Sequence, residues 1–348
     1  MVTHVALAAP GDLATATGGY AYDRRLIAEL EALGFRVDVL ALGEGFPRPS
    51  AQTRARALSL LASVPAERPI IVDGLALGAL PEVTRLRQHC LIALVHHPLA
   101  LESGLSAPEA AALRESECQA LRAARRVIAT SAATARLLIR DFAVPSDHIV
   151  VAPPGCDRVE FAHGSAGDTL ALLAVGAIVP RKGYDVLIAA LARLADLPWR
   201  LTIVGDRERD VVAAERLVAD IGRYRLGDRV DVVGVVAPRR LAELYAAADL
   251  FVLASRFEGY GMVYAEAIAS GLPVIGTTAG AIPETVPAGA GLLVRPDDCV
   301  ALADALRRLI AQPGERAGLA AAARAAAAQL PTWRDTAQLV AGATGAVA

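Results

Sequence analysis

Between Ser255 and Gly271 the chain reads SRFEGYGMVYAEAIASG, and two carboxylates, Glu258 and Glu266, stand in it with seven residues between them. Gly259 and Gly261 follow the first acid and let a backbone come close to a ligand. Met262 to Ser270 has the composition of a helix closed by Gly271 and Pro273, and the free N–H groups at the start of such a helix suit an anion. Glu258 therefore belongs to a loop, and Glu266 lies about two turns further on, inside the helix. By spacing alone, two such glutamates are equally well an ordinary solvated pair. Two other places put chemistry at the end of an apolar run. Arg181 and Lys182 are neighbours in the stretch from Gly176 to Gly183, and His96 with His97 closes Leu91 to Val95. Adjacent cations there read either as a solvated loop or as a counter-charge for an anion. A histidine at a strand end reads either as structural or as a ligand contact.

The elements that must hold these residues alternate along the chain. Val5–Ala9 reads as a buried strand, Pro10 to Gly19 as a glycine-bearing loop, and Tyr20 to Leu33 as a helix ended by Gly34. Strands at Phe35 to Leu42, Ile70 to Asp73, Leu91 to Val95, Val127 to Ser131 and Ile149 to Ala152 alternate with helices at Ser50 to Ser63 and Ala107 to Arg126. Ser131 and Thr134 are placed to cap the helix that follows. Val159 to Asp168 has glycines and no pattern and marks a junction. A second alternating series follows, with strands at Leu170 to Val175, Arg200 to Val204, Arg229 to Val233 and Asp249 to Ala254, and helices at Tyr184 to Leu194 and Leu241 to Ala247. Strands alternating with helices predict an α/β chain of two doubly wound, Rossmann-like parallel sheets. Asp298 to Ile310 reads as a helix, and the alanine-rich run Ala317 to Leu330 has high helix propensity. Pro331 breaks that run, and Trp333 to Val340 is expected to return to the first domain. The expected domains are residues 1–158 with a C-terminal helix at 332–348, and residues 165–331. A nicotinamide-dependent dehydrogenase fits poorly, because Gly11, Gly18 and Gly19 do not form G-x-G-x-x-G after the first strand and the second strand lacks a terminal acid for a ribose.

With its order in the chain, the stretch at 255–273 resembles the signature of the retaining glycosyltransferases of family 4: Ser255, Glu258, Gly261, Glu266, Gly271 and Pro273 all match. Ala254 stands where that family usually has Pro, and Tyr260 where it often has Phe. The resemblance implies the GT-B architecture, two Rossmann-like domains facing across a cleft, and assigns roles residue by residue. Arg181 and Lys182 would face the diphosphate, Glu266 the ribose hydroxyls and Glu258 the sugar hydroxyls. Gly259 and Tyr260 would contact the donor, and the backbone from Gly261 through Met262 to Val263 would meet the phosphate end. Gly18 and Gly19 match a pair at the first turn, and His96, rather than His97, matches a histidine near the transferred group. Gly205 and Asp206 match a turn beside the nucleotide, although Arg207 replaces its usual second glycine. Glu284 matches a position that is usually acidic and reads as structural, with a supporting role for the donor loop left open.

The expected activity is hexosyl transfer from a nucleotide sugar, UDP- or GDP-linked, to a hydroxyl or amine, with retention. No metal and no cofactor are expected, and no Asp-x-Asp stands at a suitable strand end. A nucleotide-sugar epimerase of the same fold and a non-catalytic nucleotide-sugar-binding protein are the alternatives. The 348 residues carry 35 Lys and Arg against 37 Asp and Glu, which gives no reason to invoke nucleic acid. Charged residues interrupt every apolar run before the roughly 18 residues a bilayer needs. The four cysteines are scattered without a C-x-x-C pair, and the N-terminus runs into a strand, so a cytoplasmic protein with reduced thiols is expected. The acceptor is open: Thr53 to Leu61, with Arg54 and Arg56, is too weakly amphipathic to dock on lipid, and a small soluble acceptor is preferred over a lipid-linked one.

Overall fold

The computed structural model describes residues 4–102, 104–165 and 167–345. Ala166, within the expected junction, and both ends of the expected first domain fall outside them. The chain divides into two compact units, one ending at Gly155 and resuming at Pro331, the other running from Cys156 to Leu330.

The first unit contains β1 (His4–Ala9), α1 (Gly18–Ala32), β2 (Arg36–Ala41), α2 (Ala51–Ala62), β3 (Pro69–Asp73), α3 (Gly74–Leu77), β4 (Cys90–Val95), α4 (Ala107–Ala123), β5 (Arg126–Ala129), α5 (Ala132–Phe142) and β6 (Ile149–Val151). Its strands pair in parallel in the order β2-β1-β3-β4-β5-β6. The central strands β3 and β4 are buried along their whole length, while the edge strand β2 alternates with solvent. Continuous apolar runs are what a parallel sheet covered by helices on both faces requires. The helices start where side chains can satisfy their first N–H groups: Thr17 caps α1, Ser50 caps α2, Ser131 caps α5, and Ser106 with Glu109 forms a reciprocal capping box on α4.

The second unit contains β7 (Leu170–Val175), α6 (Tyr184–Ala192), β8 (Trp199–Val204), α7 (Val211–Arg223), β9 (Val230–Gly234), α8 (Pro238–Ala247), β10 (Leu250–Val252), α9 (Met262–Ala269), β11 (Val274–Thr277), α10 (Ile282–Thr285), β12 (Gly291–Val294), α11 (Cys299–Ala311) and α12 (Pro313–Ala327). Its sheet has the parallel order β12-β11-β10-β7-β8-β9. Helix α7 is absent from the sequence expectation, since its charged residues mask a single apolar face. That face is real: Ala214, Leu217 and Ile221 are buried at helical spacing, and Asp210 caps the helix. The alanine-rich helix starts at Pro313, four residues before the expected Ala317.

The last helix, α13 (Trp333–Gly345), belongs to the first unit and packs on α1. Trp333 meets the Tyr22 ring edge-on at 5.7 Å and lies under the Arg25 guanidinium. A Cβ on Gly155 would come within 2.1 Å of the Trp333 nitrogen, so only glycine fits at that contact.

In each sheet the strand order reverses once. Chain direction turns between β1 and β3 in the first, and between β7 and β10 in the second, and open α/β sheets bind ligands beyond the carboxyl ends of the strands at such points.

The start of the second sheet depends on Asp249. Its carboxylate accepts from Ser165 N at 3.1 Å, Ser165 Oγ at 2.6 Å and Ala171 N at 2.8 Å, which ties the segment before β7 to the turn before β10. Asp249→Ala is expected to cost about 2 kcal/mol, because it leaves two backbone N–H groups without their acceptor. Urea denaturation checks this, and an unchanged midpoint would refute the role.

Candidate active site

At the β7/β10 switch point of the second unit, the loops after β7, β8 and β10 are pressed together by contacts that only glycine allows. Gly183 has φ +65°, and a Cβ there would sit 2.1 Å from the Ala254 carbonyl oxygen; a Cβ on Gly205 would sit 1.8 Å from the carbonyl oxygen of Gly176. Pro180–Lys182 forms one 3₁₀ turn that ends in Gly183 and precedes α6. Its cations therefore meet the loop after β10. Lys182 Nζ donates to Glu258 Oε1 at 2.7 Å, Ser255 Oγ donates to the same oxygen at 2.7 Å, and Arg181 donates to Glu258 Oε2 at 3.3 Å and to the Phe257 carbonyl at 3.0 Å.

Glu258 is 6 % exposed and Lys182 9 %. Burial alone would raise the Glu258 carboxyl, but Lys182 and Arg181 outweigh it and hold the group below the usual glutamate range. A carboxylate offers about four lone pairs, and three are engaged here, which leaves capacity for one further donor.

Glu258 is fixed from behind as well. Its carbonyl accepts from Ala281 N at 2.9 Å, and a Cβ on Gly280, at φ +56°, would come within 2.2 Å of that same oxygen. Thr285 Oγ1 donates to the Tyr260 carbonyl at 2.5 Å and Thr277 Oγ1 to that of Ser255 at 2.6 Å, so the end of β11 and the segment after it staple the whole loop. Arg256 fastens its other side, with its N–H on the Arg181 carbonyl at 2.8 Å and its guanidinium on Asp185, Asp297 and the Pro180 carbonyl.

Gly261 takes φ +90° and begins α9 without a side-chain cap, so Met262 and Val263 form a first turn whose N–H groups have no intrahelical acceptor. Glu266 lies further along that helix and is half-buried, and the Tyr245 hydroxyl donates to its Oε2 at 2.8 Å. Burial raises the Glu266 carboxyl to about 6, against the lowering effects of Tyr245 and Lys182. Gly205 and Asp206 form the turn after β8. The Asp206 carbonyl accepts from Ile178 N, and its carboxylate accepts from Glu208 N at 2.8 Å. Glu284 is exposed, on α10.

The first unit gathers a different group at its own switch point. His96 follows β4, and its Nε2 lies 3.3 Å from Asp23 Oδ1 on α1 and 3.6 Å from Asp73 Oδ2 at the end of β3. Gly18 and Gly19 open α1, and a Cβ on Gly19 would approach His96 Cδ2 to 3.2 Å, so Gly19 makes room for the imidazole. His97 turns away and pairs with Glu102 at 3.1 Å. Among the described residues these three side chains are the one group of acids, histidines or cysteines whose potential ligand atoms converge, all within 4.8 Å of one another.

Asp23, Asp73, Tyr245 and Arg256 were not singled out in the sequence. A signal existed for two of them: Asp73 ends a strand that opens onto the switch point, and Asp23 lies one helical turn after Gly19, on the same face. Tyr245 and Arg256 had none, because their roles depend on pairing between distant segments.

Two family models match, Glycosyltransferase Family 4 over residues 18–160 and Glycosyl transferases group 1 over residues 169–312. The chain is 33 % identical over 280 residues to a D-inositol 3-phosphate glycosyltransferase of Nocardia farcinica, an alignment covering 72 % of this chain and 61 % of that protein. It thus spans less than two-thirds of that relative's length. It is 30 % identical over 309 residues to the MMP alpha-(1→4)-mannosyltransferase of Mycolicibacterium hassiacum, covering 84 % of this chain and 74 % of that protein. Sucrose-phosphate synthase from Thermosynechococcus elongatus superposes with a TM-score of 0.82 at 24 % identity, over 97 % of this chain and 98 % of that one. The Anabaena protein HepE in complex with UDP-glucose superposes with a TM-score of 0.80 at 22 % identity, over 99 % of this chain and 100 % of that one. At such identities the likeness speaks for the fold, that of the GT-B glycosyltransferases. With both halves matched and the mannosyltransferase aligned over 74 % of its length, the chain belongs to glycosyltransferase family 4.

Proposed function

We propose that this chain moves a hexosyl group from a nucleoside diphosphate sugar to a hydroxyl or amine of an acceptor, with retention and without a metal. The observation that carries the reading is the fixed group of Arg181, Lys182 and Glu258 at the β7/β10 switch point, beside the open first turn of α9. As the bond from the anomeric carbon to the diphosphate oxygen breaks, negative charge grows on the leaving group. Arg181, Lys182 and the N–H groups of Met262 and Val263 meet that charge, which is the work a metal would otherwise do. The acceptor oxygen attacks from the same face and passes its proton to the departing phosphate oxygen. Glu258 is no nucleophile in this scheme, because both its oxygens are held by donors; it takes a sugar hydroxyl with the capacity it has left. Glu266 has Oε2 occupied by Tyr245, and in this scheme its Oε1 takes the ribose hydroxyls.

UDP- and GDP-sugars are the first donors to test, and HepE with its UDP-glucose supports the former. A small soluble acceptor is in keeping with the relative named for D-inositol 3-phosphate, and the cytoplasmic setting expected from the sequence stays part of this reading. All four cysteines are free thiols, and among the described residues no helix is long and apolar enough to cross a membrane. A panel of UDP-, GDP-, TDP- and ADP-sugars, read by thermal shift and then by acceptor-dependent nucleotide release, tests the activity. Release or isomerisation of the sugar without acceptor would point to an epimerase of the same fold, and binding without turnover to a binding protein.

Lys182→Met should lower kcat/KM by about 10²–10³-fold, the scale for removing one charged stabiliser of the transition state. Activity within a few-fold of wild type, in a protein of normal melting temperature, would remove Lys182 from the mechanism. Glu266 gives a pH test. Its folded pKa is raised to about 6, so its carboxylate is present above that value and is lost as pH falls through it. Donor KM should therefore rise below about pH 6. Glu266→Gln should raise KM by about tenfold at neutral pH, the loss of one hydrogen bond to a charged acceptor, and should abolish this acid limb. An acid limb that survives the substitution would assign it to another group.

A further inference from the structure

His96 is held more firmly than a strand-end histidine needs to be. Asp23 is 0 % exposed and Asp73 2 %, while the His96 side chain keeps 19 % of its surface. Asp23 Oδ2 has no hydrogen-bond partner, and all the polar contacts of the imidazole are made through Nε2, so Nδ1 is left without a partner among the described residues. Two sealed carboxylates this close together cannot both ionise unless a cation lies between them. A protonated ring would be such a cation, since Nε2 lies 3.3 Å from Asp23 and 3.6 Å from Asp73. The other groups on the ring carry no charge near neutral pH. Tyr22 meets it edge-on at 5.2 Å with its hydroxyl tied to the Ala152 carbonyl, Gly19 lies against Cδ2, and Thr130 Oγ1 donates to the His96 carbonyl at 3.1 Å.

We propose that Asp23 and Asp73 are positioning residues that fix His96 as an imidazolium, with Nε2–H shared between the two carboxylates and Nδ1–H left to donate to a substrate oxygen. The proposal rests on the glycosyl-transfer reading above and deepens it. His96 is then a permanent charged donor and not the base that takes the acceptor proton. Electrostatics agree with the geometry: burial alone would lower the imidazole, yet Asp23 and Asp73 lift it to about 10. Burial pushes Asp23 up to about 7, while His96 outweighs burial at Asp73 and holds that acid below the usual carboxylate range.

The charge state is readable without substrate. In ¹⁵N NMR of the full chain with labelled histidine, assigned by the signal lost in His96→Gln, both ring nitrogens of His96 should remain in the imidazolium range at about pH 8, above the ordinary histidine value. In Asp73→Asn the ring should become neutral there, and in Asp23→Asn its titration should shift acidward. A neutral His96 in the wild-type chain at that pH overturns the proposal even if glycosyl transfer is established. So does a His96 signal that moves on adding Zn²⁺ or Mn²⁺ or on chelation, since the cluster would then be a metal site. If no donor and acceptor support transfer, the reading of function fails while this measurement still stands.

With an active donor–acceptor pair, the alkaline limb of kcat/KM should move acidward by about one unit or more in both aspartate variants, since removing a carboxylate lowers the imidazolium pKa. A merely structural role would lower the melting temperature and leave that limb in place, which would equally overturn the proposal.

Discussion

A carboxylate that is 6 % exposed cannot stay ionised without cations in contact, and around Glu258 this requirement shapes the whole end of the second sheet. Lys182 and Arg181 come from the loop after β7, Ser255 and Glu258 from the loop after β10. Contact at 2.7 Å demands that these loops interpenetrate, and Gly183 pressed on the Ala254 carbonyl is what permits it. Removing one partner of a buried pair costs about 3–5 kcal/mol, because the remaining charge is stranded. The chemistry and the local fold are thus one construction. Arg256, bonded to two aspartates and to two carbonyls of the cationic loop, keeps that loop in place from its exposed side.

The first sheet meets the same constraint in another way. There, two acids are buried at the switch point and the counter-charge is a histidine instead of a lysine and an arginine. A histidine can lose its proton in the range of pH where proteins work, so its charge has to be secured by neighbours. Glu117 shows the contrast. It is 1 % exposed with no cation paired to it among the described residues, accepts backbone N–H from Leu99, and is pushed up to about 8 by burial. A buried acid without a cation gives up its charge, whereas Glu258 and Asp73, each beside a cation, are held below the usual carboxylate range.

Most of the strands were legible because parallel strands buried on both faces are continuous apolar runs, and Val5–Ala9, Leu91–Val95 and Leu170–Val175 are such runs. Arg181, Lys182, Glu258 and Glu266 were legible because each stands at a strand end or on the helix behind it. What stayed hidden is what depends on long-range pairing. Asp23 has only its place one helical turn after Gly19 to distinguish it, and becomes part of a site because β1, β3 and β4 lie side by side. Tyr245 reaches Glu266 from 21 residues away, and Gly280 backs Glu258 from 22. Helix α7 was missed for a different reason: four of its thirteen residues are charged, and only the spacing of Ala214, Leu217 and Ile221 shows its buried face.

The pairing of Glu258 with the two cations has an electrostatic consequence for any anion that enters. Arg181 and Lys182 contribute two positive charges and Glu258 one negative charge, so the group carries a net charge of +1 before substrate arrives. Two free cations would attract phosphate more strongly but would have to be ordered as it bound, with the loss of side-chain freedom that this entails. Here the ordering is done during folding, by Glu258. In the proposed glycosyl transfer, ground-state attraction is thereby weakened, while the donors stay fixed for the extra charge that appears only as the sugar bond breaks. Interactions that strengthen toward the transition state raise kcat, whereas those equally strong in the ground state lower KM alone. If the two cations meet the leaving diphosphate as proposed, an acid planted between them, which looks like a waste of positive charge, moves their effect from binding toward rate.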